Sequence, residues 1–468
     1  MPAPAAVRTA AAAQFEPAIE RLSRYIRIPA VSCDPKHFAD VDRLAAVVAA
    51  DLNQLGLQAE VLALPPREDG KPTLPAVAAS WLHAGPQAPT ILIYGHLDLQ
   101  PVDGGDGWRT PPHEPVRVGD RLYGRGSSDD MGGWVSHVAA IEAWLQTEGT
   151  LPCNLRLFIE GEEECGSNNL ERYMDAYPEV FAADAMILTD CENPSTDVPG
   201  LTVSLRGVFE VVVRVRALEA DVHSGLWGNM VPDPATALMT LIARLVDHNG
   251  RLRVGLCQQP QSRVDAAARV PVPDEVIVRG AHLLPGVQPL PTDGRSAAEW
   301  LWLQPAITVV TTTLPPPERK KNAIRAAAEA VLSIRLGPGQ TPDEVLTAVQ
   351  GELLRDPPGG VLVTATQERG FGMGWYYEPA GPAFDAVDRA YVSAWGHKPV
   401  RVGVGGSIPF VAIFAKRFSD LPLILNGVMD PESTAHGPNE SLHLGVFAKA
   451  IAANVELYAE LAQALPRK

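Results

Sequence analysis

Apolar and polar positions alternate along the first 205 residues in a way that predicts strands and helices in turn. Short runs rich in β-branched residues predict buried strands, and amphipathic stretches between them predict helices. The predicted strands are Leu57–Leu64, Val77–Leu82, Thr90–Tyr94, Leu155–Ile159 and Ala185–Leu188, and the predicted helices are Gln14–Ile28, Met131–Gln146 and Asn168–Tyr177. This order is typical of a mostly parallel sheet covered by helices.

The pattern changes near Leu205 and returns near Pro382. The middle stretch predicts, in order, the strand Val208–Val215, the helix Pro234–Val246, the strand Ala330–Leu336, the helix Asp343–Leu354 and the strand Val361–Thr366. After it come the helix Pro382–Trp395, the strand Val400–Val404, the helix Ile408–Phe418, the strand Leu423–Leu425 and a helix from Leu444. We therefore predict an α/β catalytic domain, residues 1–205 and 373–468, split by an inserted α+β sandwich, residues 206–372. The Pro-rich stretch 257–320 gives no prediction.

The net charge and the cysteines indicate which partners and which cell compartment are expected. The chain has 468 residues and 55 Asp and Glu against 39 Lys and Arg, a formal net charge of −16. This acidity argues against a nucleic acid or anionic membrane partner, because binding phosphate needs clustered Lys and Arg. Neither a membrane helix nor a secretory signal is predicted. Five cysteines without a CxxC pair favour a reducing cytoplasm over a disulfide framework.

Histidines and carboxylates follow the predicted strands of the α/β part. They are His96 and Asp98, Asp129 and Asp130, Glu160 to Glu164, Asp190, and His436. Because ligands bind at the carboxyl ends of strands in such sheets, we expect these side chains to converge. Carboxylates crowded together require a neutralising cation, and imidazole with carboxylate suits Zn²⁺ or Mn²⁺. The pattern therefore predicts two metal ions, which can hold a hydroxide between them and polarise a carbonyl.

Five motifs then point to one family. They are GHLDLQPVD at 95–103, YGRGSSDDMGG at 123–133, EGEEECGS at 160–167, DVHSG at 221–225 and GGSIP at 405–409. In this order they resemble the motifs of the co-catalytic zinc metallopeptidases, the relatives of cytosolic non-specific dipeptidase, carnosinase, aminoacylase and succinyl-diaminopimelate desuccinylase. Met131 departs from the pattern, since the family usually has Lys there, and the Asn322-Ala-Ile-Arg segment lacks the family's proline.

The resemblance implies a role for individual residues. The implied metal ligands are His96 and Asp190 on one ion, Glu164 and His436 on the other, and Asp129 bridging both. Glu163 is the implied general base, with the adjacent Glu162 as its competitor, and Asp98 is implied to orient His96. His223 is implied to act in the neighbouring subunit's site, and Arg335, Asn322 and Ser407 are implied to bind substrate.

The resemblance also sets the expected reaction. It implies a di-metal hydrolase in which a metal-bridging hydroxide attacks the amide bond of a dipeptide, with Zn²⁺ as the expected ion and Mn²⁺ or Co²⁺ as alternatives. Asp at position 190 accompanies dipeptidases and aminoacylases in such families, so an N-acyl amino acid deacylase stays open. From another class, a non-catalytic metal-binding scaffold is the alternative. The inserted domain is expected to act as a lid and to form a homodimer.

Overall fold

The computed structural model describes residues 2–102, 107–314, 318, 320–406 and 409–466. Its helices are α1 (Ala5–Ala13), α2 (Phe15–Ile26), α3 (Phe38–Gln54), α4 (Met131–Glu148), α5 (Leu170–Ala176), α6 (Ser224–Trp227), α7 (Pro234–Ala243), α8 (Gln261–Ala268), α9 (Asp274–Gly280), α10 (Ala297–Trp302), α11 (Pro342–Leu353), α12 (Pro382–Trp395), α13 (Pro409–Arg417) and α14 (Leu444–Ala464). Its strands are β1 (Gln58–Leu62), β2 (Ala76–Trp81), β3 (Thr90–His96), β4 (Val116–Val118), β5 (Arg121–Tyr123), β6 (Asn154–Glu160), β7 (Ala185–Leu188), β8 (Gly200–Leu205), β9 (Gly207–Arg216), β10 (Val222–His223), β11 (Ala306–Thr312), β12 (Ala323–Ile324), β13 (Ala327–Leu336), β14 (Leu362–Gly372), β15 (Trp375–Tyr376), β16 (Val400–Val404), β17 (Leu423–Leu425) and β18 (Ser441–His443).

The largest sheet has nine strands in the order β1-β2-β6-β3-β7-β17-β8-β15, with β16 also paired to β8. Its centre, from β6 through β3 and β7 to β17, is parallel. Both ends contain antiparallel pairs, β1 with β2 and β8 with β15. The predicted α/β class is confirmed, with parallel pairing concentrated in the middle of a mixed sheet.

The central strands are buried because both faces of the sheet are covered. Every residue of β3 after Thr90 is buried, as expected for a parallel strand between two layers of helices. On one face lies α4, in which 13 residues, including Trp134 and His137, are buried. On the other face the ring of Tyr94 contacts Phe410 and Phe414, with centroids 4.2 and 5.2 Å apart.

A second sheet is built from residues of the inserted stretch. Its four strands lie antiparallel in the order β11-β13-β9-β14. Burial alternates along β9, with Phe209, Val211, Val213 and Val215 buried in one apolar cluster. Helices α7 and α11 contact this sheet, which gives the predicted α+β layers. The boundaries at 205/206 and 372/373 stay a prediction.

Several elements were not predicted. Helix α1 was not recognised because its alanine-rich sequence carries little amphipathic contrast, yet Val7 and Ala11 are buried. Helix α3 and strand β8 were likewise missed. The unassigned stretch 257–320 contains α8, α9, α10 and β11, short elements between prolines. In the part of the chain that the structure describes, no helix is both long and apolar enough to cross a membrane.

Candidate metal centre

A polar cleft of about 350 Å³ opens where β3, β6 and β7 end. Its lining residues are Gln100, Asp129, Glu163, Glu164, Gly166, Asp190, Cys191, Glu192, Val404, Met429, Ala435 and His436. The parallel strands point their carboxyl ends at this cleft, as open α/β sheets do at their ligand sites. The expected convergence of polar side chains therefore occurs at one place in the fold.

Two groups of possible metal ligands share one residue. His96, Asp129 and Asp190 form one group, and Asp129, Glu164 and His436 form the other, with the donor atoms of each group within 4.8 Å of one another. The two Asp129 oxygens face opposite sides. Oδ1 lies 3.2 Å from His96 Nε2, and Oδ2 lies 3.1 Å from His436 Nε2. A carboxylate with one oxygen in each group can bridge two ions.

The loop that carries Asp129 is fixed by a distant buried glutamate. Glu440 Oε1 accepts the backbone N–H groups of Gly126, Ser128 and Asp129 at 3.0, 3.0 and 3.1 Å. Its Oε2 accepts from Arg125 at 2.9 Å, and both side chains of this ion pair are buried. Glu440 was not predicted to have a role, because a single Glu before a short strand carries no recognisable signal.

The next residue, Asp130, turns away from the cleft into the protein. Its Oδ2 accepts the Thr189 hydroxyl at 2.7 Å and the His96 backbone N–H at 3.2 Å. At Gly133 a Cβ atom would lie 2.1 Å from Asp130 Oδ1 and 2.6 Å from the Thr189 carbonyl. Glycine in the DDMGG motif therefore lets α4 approach this buried carboxylate.

Glu163 and Glu164 lie on a short 3₁₀ turn, Glu163–Cys165, after β6. The Asp98 carboxylate accepts the backbone N–H of Glu163 at 3.2 Å and of Glu164 at 3.0 Å. Asp98 also approaches His96, whose Nδ1 lies 3.1 Å from its carbonyl oxygen and 3.5 Å from its carboxylate. The Asp98 carboxylate thus positions the turn and also faces the ring of His96, which it was predicted to orient.

Gln100 and Cys33 complete the support of this turn, and neither was predicted to do so. Gln100 Nε2 donates to Glu164 Oε2 at 2.8 Å. The Cys33 thiol donates to the Glu164 carbonyl at 3.3 Å. Gln100 could have been predicted from its place in the GHLDLQPVD motif. Cys33 could not, because it lies far from Glu164 in sequence.

The glutamates at 162 and 163 face different environments. Glu163 lines the cleft. Glu162 is buried, and burial raises the pKa of its carboxyl to about 7 although contacts with Asn169 and the Leu74 backbone lower it. Of the two candidates for the general base, Glu163 is the one placed at the cleft.

The electrostatics of the cluster favour bound cations. Burial and then the nearby Asp129 charge hold the pKa of Asp190 and of Glu164 above their usual ranges. Burial would also raise the pKa of Asp129, but contacts with His436 and His96 outweigh it and lower that pKa. Contacts with Asp129 and Glu164 raise the pKa of His436 to about 11. The carboxylates of this site carry more negative charge than the histidines can balance. Divalent ions bound to these side chains would supply the missing positive charge.

Other predicted site residues lie elsewhere on the chain. Of the described residues, those lining the cleft do not include His223, Asn322 or Arg335. His223 is exposed on β10, where its Nδ1 accepts the Gly225 backbone N–H at 3.0 Å. The Asn322 carbonyl accepts the Ser224 backbone N–H at 3.2 Å, so it lies beside His223. Ser407 lies outside the described residues.

Arg335 lies on β13, half-buried and paired in register with Val208. Burial lowers its pKa. The neighbouring Arg206 is more enclosed, and burial together with the Arg335 charge lowers the pKa of Arg206 to about 10. The roles assigned to Arg335, Asn322, Ser407 and His223 all stay predictions.

Comparison with known proteins supplies the family. Residues 92–464 match Peptidase family M20/M25/M40. The cysteinylglycine-S-conjugate dipeptidase of Corynebacterium striatum is 33% identical over 413 residues, 87% of each chain. The Cys-Gly metallodipeptidase of Schizosaccharomyces pombe is 28% identical over 465 residues, 96% of each chain.

A solved structure supports the same grouping at the level of the fold. The crystal structure of human carnosine dipeptidase 1 superposes with a TM-score of 0.84 at 24% identity, covering 99% of this chain and 100% of that one. The family match spans most of the chain and includes all five of the proposed metal ligands. The chain belongs to Peptidase family M20/M25/M40.

Proposed function

We propose that this protein is a metal-dependent dipeptidase that hydrolyses the amide bond between two amino acids. The observation that carries the proposal is Asp129, whose two oxygens belong to two separate groups of possible metal ligands. Relatives named as metallodipeptidases, at 28 to 33% identity over most of the chain, support the choice of dipeptides. Cys-Gly, its S-conjugates and other dipeptides ending in Gly are the first substrates to test.

The proposed chemistry divides between the cations and the side chains of the chain. Bound as a pair, divalent ions polarise a carbonyl group and lower the pKa of water. His96 and Asp190 would hold one ion, Glu164 and His436 the other, and Asp129 both. Glu163 would accept the proton of the attacking water and deliver it to the departing amine. Asp98 would keep Glu163 in position through the backbone bond already described.

Arg335 is proposed to bind the carboxylate of the substrate. A guanidinium can donate two parallel hydrogen bonds to a carboxylate, which an ammonium group cannot reproduce. The nearby Arg206 adds a second positive charge to this region. If the assignment holds, converting a dipeptide to its C-terminal amide raises KM in the wild-type protein, and Arg335→Lys removes most of that difference. Equal KM values for acid and amide would exclude it.

His223 is proposed to complete the site of a second copy of the chain. Next to it lies an apolar patch, Leu226, Trp227 and Met230, with side chains 75, 51 and 80% exposed. Contiguous exposed apolar residues mark interaction surfaces, which supports a homodimer through the inserted domain. In that dimer His223 would donate a hydrogen bond to the carbonyl oxygen as negative charge develops there. Asn322, which lies beside His223, is also proposed to bind substrate. Ser407 is proposed to bind substrate as well.

The identity of the metal and the location of the protein are also proposals. Zn²⁺ is proposed first, because two imidazoles and three carboxylates suit it, with Mn²⁺ and Co²⁺ as alternatives. A cytoplasmic location is supported by five cysteines that are all free thiols. Metal analysis of protein purified from its native source would identify the ion.

A hydrolysis panel tests the proposed function. The metal-free protein, reloaded with Zn²⁺ or with Mn²⁺, is assayed on dipeptides and on N-acyl amino acids. Hydrolysis of dipeptides that depends on the added ion is the expected result. Hydrolysis of N-acyl amino acids alone would instead make it a deacylase. Stoichiometric metal binding without turnover of either class would make it a non-catalytic scaffold.

A further inference from the structure

A second cavity adjoins the cleft, and no sequence motif marks it. We call it the side pocket. Its volume is about 360 Å³, and its lining residues are Glu192, Asn193, Pro194, Val270, Pro271, Val272, Val276, Ile277, Gly280, Ala281, Leu301, Trp302, Val402, Gly403, Val404 and Pro431. Glu192 and Val404 line both spaces. The side pocket therefore borders the proposed reaction site.

The chemistry of the side pocket differs from that of the cleft. Helix α9 contributes Val276 and Ile277, helix α10 contributes Leu301 and Trp302, and β16 contributes Val402. Leu301, a large apolar residue in the wall of this cavity, is 39% exposed. A cavity of about 150 Å³ with such a lining is enough for benzene, so this one has room for a branched or aromatic group.

Glu192 and Asn193 are polar residues of the side pocket, and Glu192 also lines the cleft. The Asn193 side chain is already satisfied, since it donates to the carbonyls of Gly427 and Met429 and accepts from Gly200, all near 3.0 Å. The carboxylate of Glu192 has no hydrogen-bond or ion-pair partner among the residues that the structure describes. The oxygens of the Glu192 carboxyl group are thus placed to accept hydrogen bonds from a cationic group of a ligand.

We infer that the side pocket binds a large apolar side chain on the N-terminal residue of the dipeptide. The inference rests on the proposed function. A dipeptide carries its ammonium group on the N-terminal residue and its carboxylate on the other, and opposite charges attract. Glu192 accepts hydrogen bonds from the ammonium group, which places the N-terminal residue at the mouth of the side pocket. Its side chain, including any apolar group attached to a cysteine sulfur, then enters the pocket and loses its contact with water.

Substrate pairs that differ in one side chain test this inference. For the metal-loaded wild-type protein we expect kcat/KM for Leu-Gly and S-benzyl-Cys-Gly to exceed that for Ala-Gly by at least ~10-fold, the discrimination that an apolar pocket gives for one or more methylenes. The reversed pair, Gly-Leu and Gly-Ala, reports on the C-terminal residue and is expected to differ less.

Two variants change the pocket in different ways. Leu301→Asp places a charge at its wall, and Ala281→Trp fills it from an exposed position. Each is expected to lower the ratio of Leu-Gly to Ala-Gly at least ~10-fold, while the ratio of Gly-Leu to Gly-Ala stays as in the wild type. Leu354→Asp is the matched control, an exposed leucine just after α11 and away from the pocket lining. It is expected to change neither ratio.

The outcomes separate this inference from the proposed function. No hydrolysis of any dipeptide by the metal-loaded wild type would overturn the proposed function itself. Hydrolysis with no preference for an apolar N-terminal residue would overturn the inference alone, as would a preference that both pocket variants retain. A loss of discrimination confined to Gly-Leu and Gly-Ala would assign the pocket to the other residue and contradict the inference.

Discussion

The carboxylate of Glu440 accepts the backbone N–H of Asp129 at 3.1 Å, across 311 residues of sequence. Asp129 belongs to the segment before the inserted residues, and Glu440 to the segment after them. The contact therefore joins the two parts of the α/β fold at the residue proposed to bridge both ions. The position of Asp129 therefore depends on a side chain from the last segment of the chain.

Replacing Glu440 tests that coupling. Glu440→Gln keeps the size of the side chain but loses the charge that pairs with Arg125 and one of the acceptor oxygens. Groups that orient metal ligands typically change metal affinity or activity ~10–100-fold when altered, so we expect a loss of metal affinity in that range. Isothermal titration of metal-free protein with Mn²⁺ measures it. Glu20→Gln, an exposed glutamate on α2, is the control; equal affinities in both variants would remove Glu440 from the account.

The assignment of the general base can be tested at adjacent positions. Glu163→Gln cannot accept a proton, and we expect kcat to fall at least ~10²-fold with metal content unchanged. Glu162→Gln alters a buried side chain outside the cleft lining, so its kcat is expected to stay well above that of Glu163→Gln. Steady-state kinetics on protein of measured metal content decide the matter. The opposite order would make Glu162 the base.

Complementation tests whether His223 acts across a dimer. Inactive His223→Ala and inactive Glu163→Gln are mixed under conditions that exchange subunits. If His223 serves the neighbouring site, each mixed dimer regains one complete site, made of His223 from one chain and Glu163 from the other. Activity that stays absent although mixed dimers form would place His223 in its own chain's site or outside any site. A strictly monomeric active protein would exclude the proposal without a variant.

A buried histidine outside the cleft is predicted to make the folded protein less stable at acidic pH. His137 on α4 is buried, its Nδ1 lies 2.8 Å from the Tyr458 hydroxyl, and burial lowers its pKa to about 3. In the unfolded chain the His137 imidazole takes up a proton below its usual pKa of ~6.5. In the folded chain it takes up that proton only at a far lower pH. The free energy of unfolding therefore decreases as the pH falls from about 6.5 towards 3, by up to ~1.4 kcal/mol per pH unit from this group.

Urea unfolding between pH 7 and pH 4, followed by tryptophan fluorescence, measures this dependence. In His137→Gln we expect the decrease towards pH 4 to be shallower than in the wild-type protein, because the group that takes up the proton on unfolding is gone. His397→Gln, at an exposed position, is the control and should follow the wild type. Parallel curves for His137→Gln and wild type would show that His137 does not contribute to the acid sensitivity.

Elements with clear apolar runs and motif residues could be predicted from the sequence, and supporting contacts could not. The strands β7, β16 and β17 and the helix α12 begin and end where the sequence predicted, because apolar runs bounded by Gly, Pro or polar residues mark them clearly. The five proposed metal ligands were named from motifs, and the structure brings them together in two groups. Glu440, Cys33 and Glu192 belong to no such pattern, since their importance comes from neighbours distant in sequence.

Part of the secondary structure of the inserted stretch could not be predicted from the sequence either. Helices α8, α9 and α10 are only six to eight residues long and lie between prolines, so their periodicity is too short to recognise. Two of them nevertheless form walls of the side pocket. Helices α8 and α10 contact β16, which lies far later in the chain.

The two-metal site is tested by counting the divalent ions bound to active protein. Metal-free protein is titrated with Zn²⁺ or Mn²⁺ while dipeptide hydrolysis and bound metal, by elemental analysis, are followed together. We expect activity to reach its maximum at two ions per chain, Glu164→Gln to retain one tightly bound ion, and Asp129→Ala to lose high affinity for both, because only Asp129 belongs to both ligand groups. Full activity with one ion per chain or none would exclude a catalytic site with two metal ions.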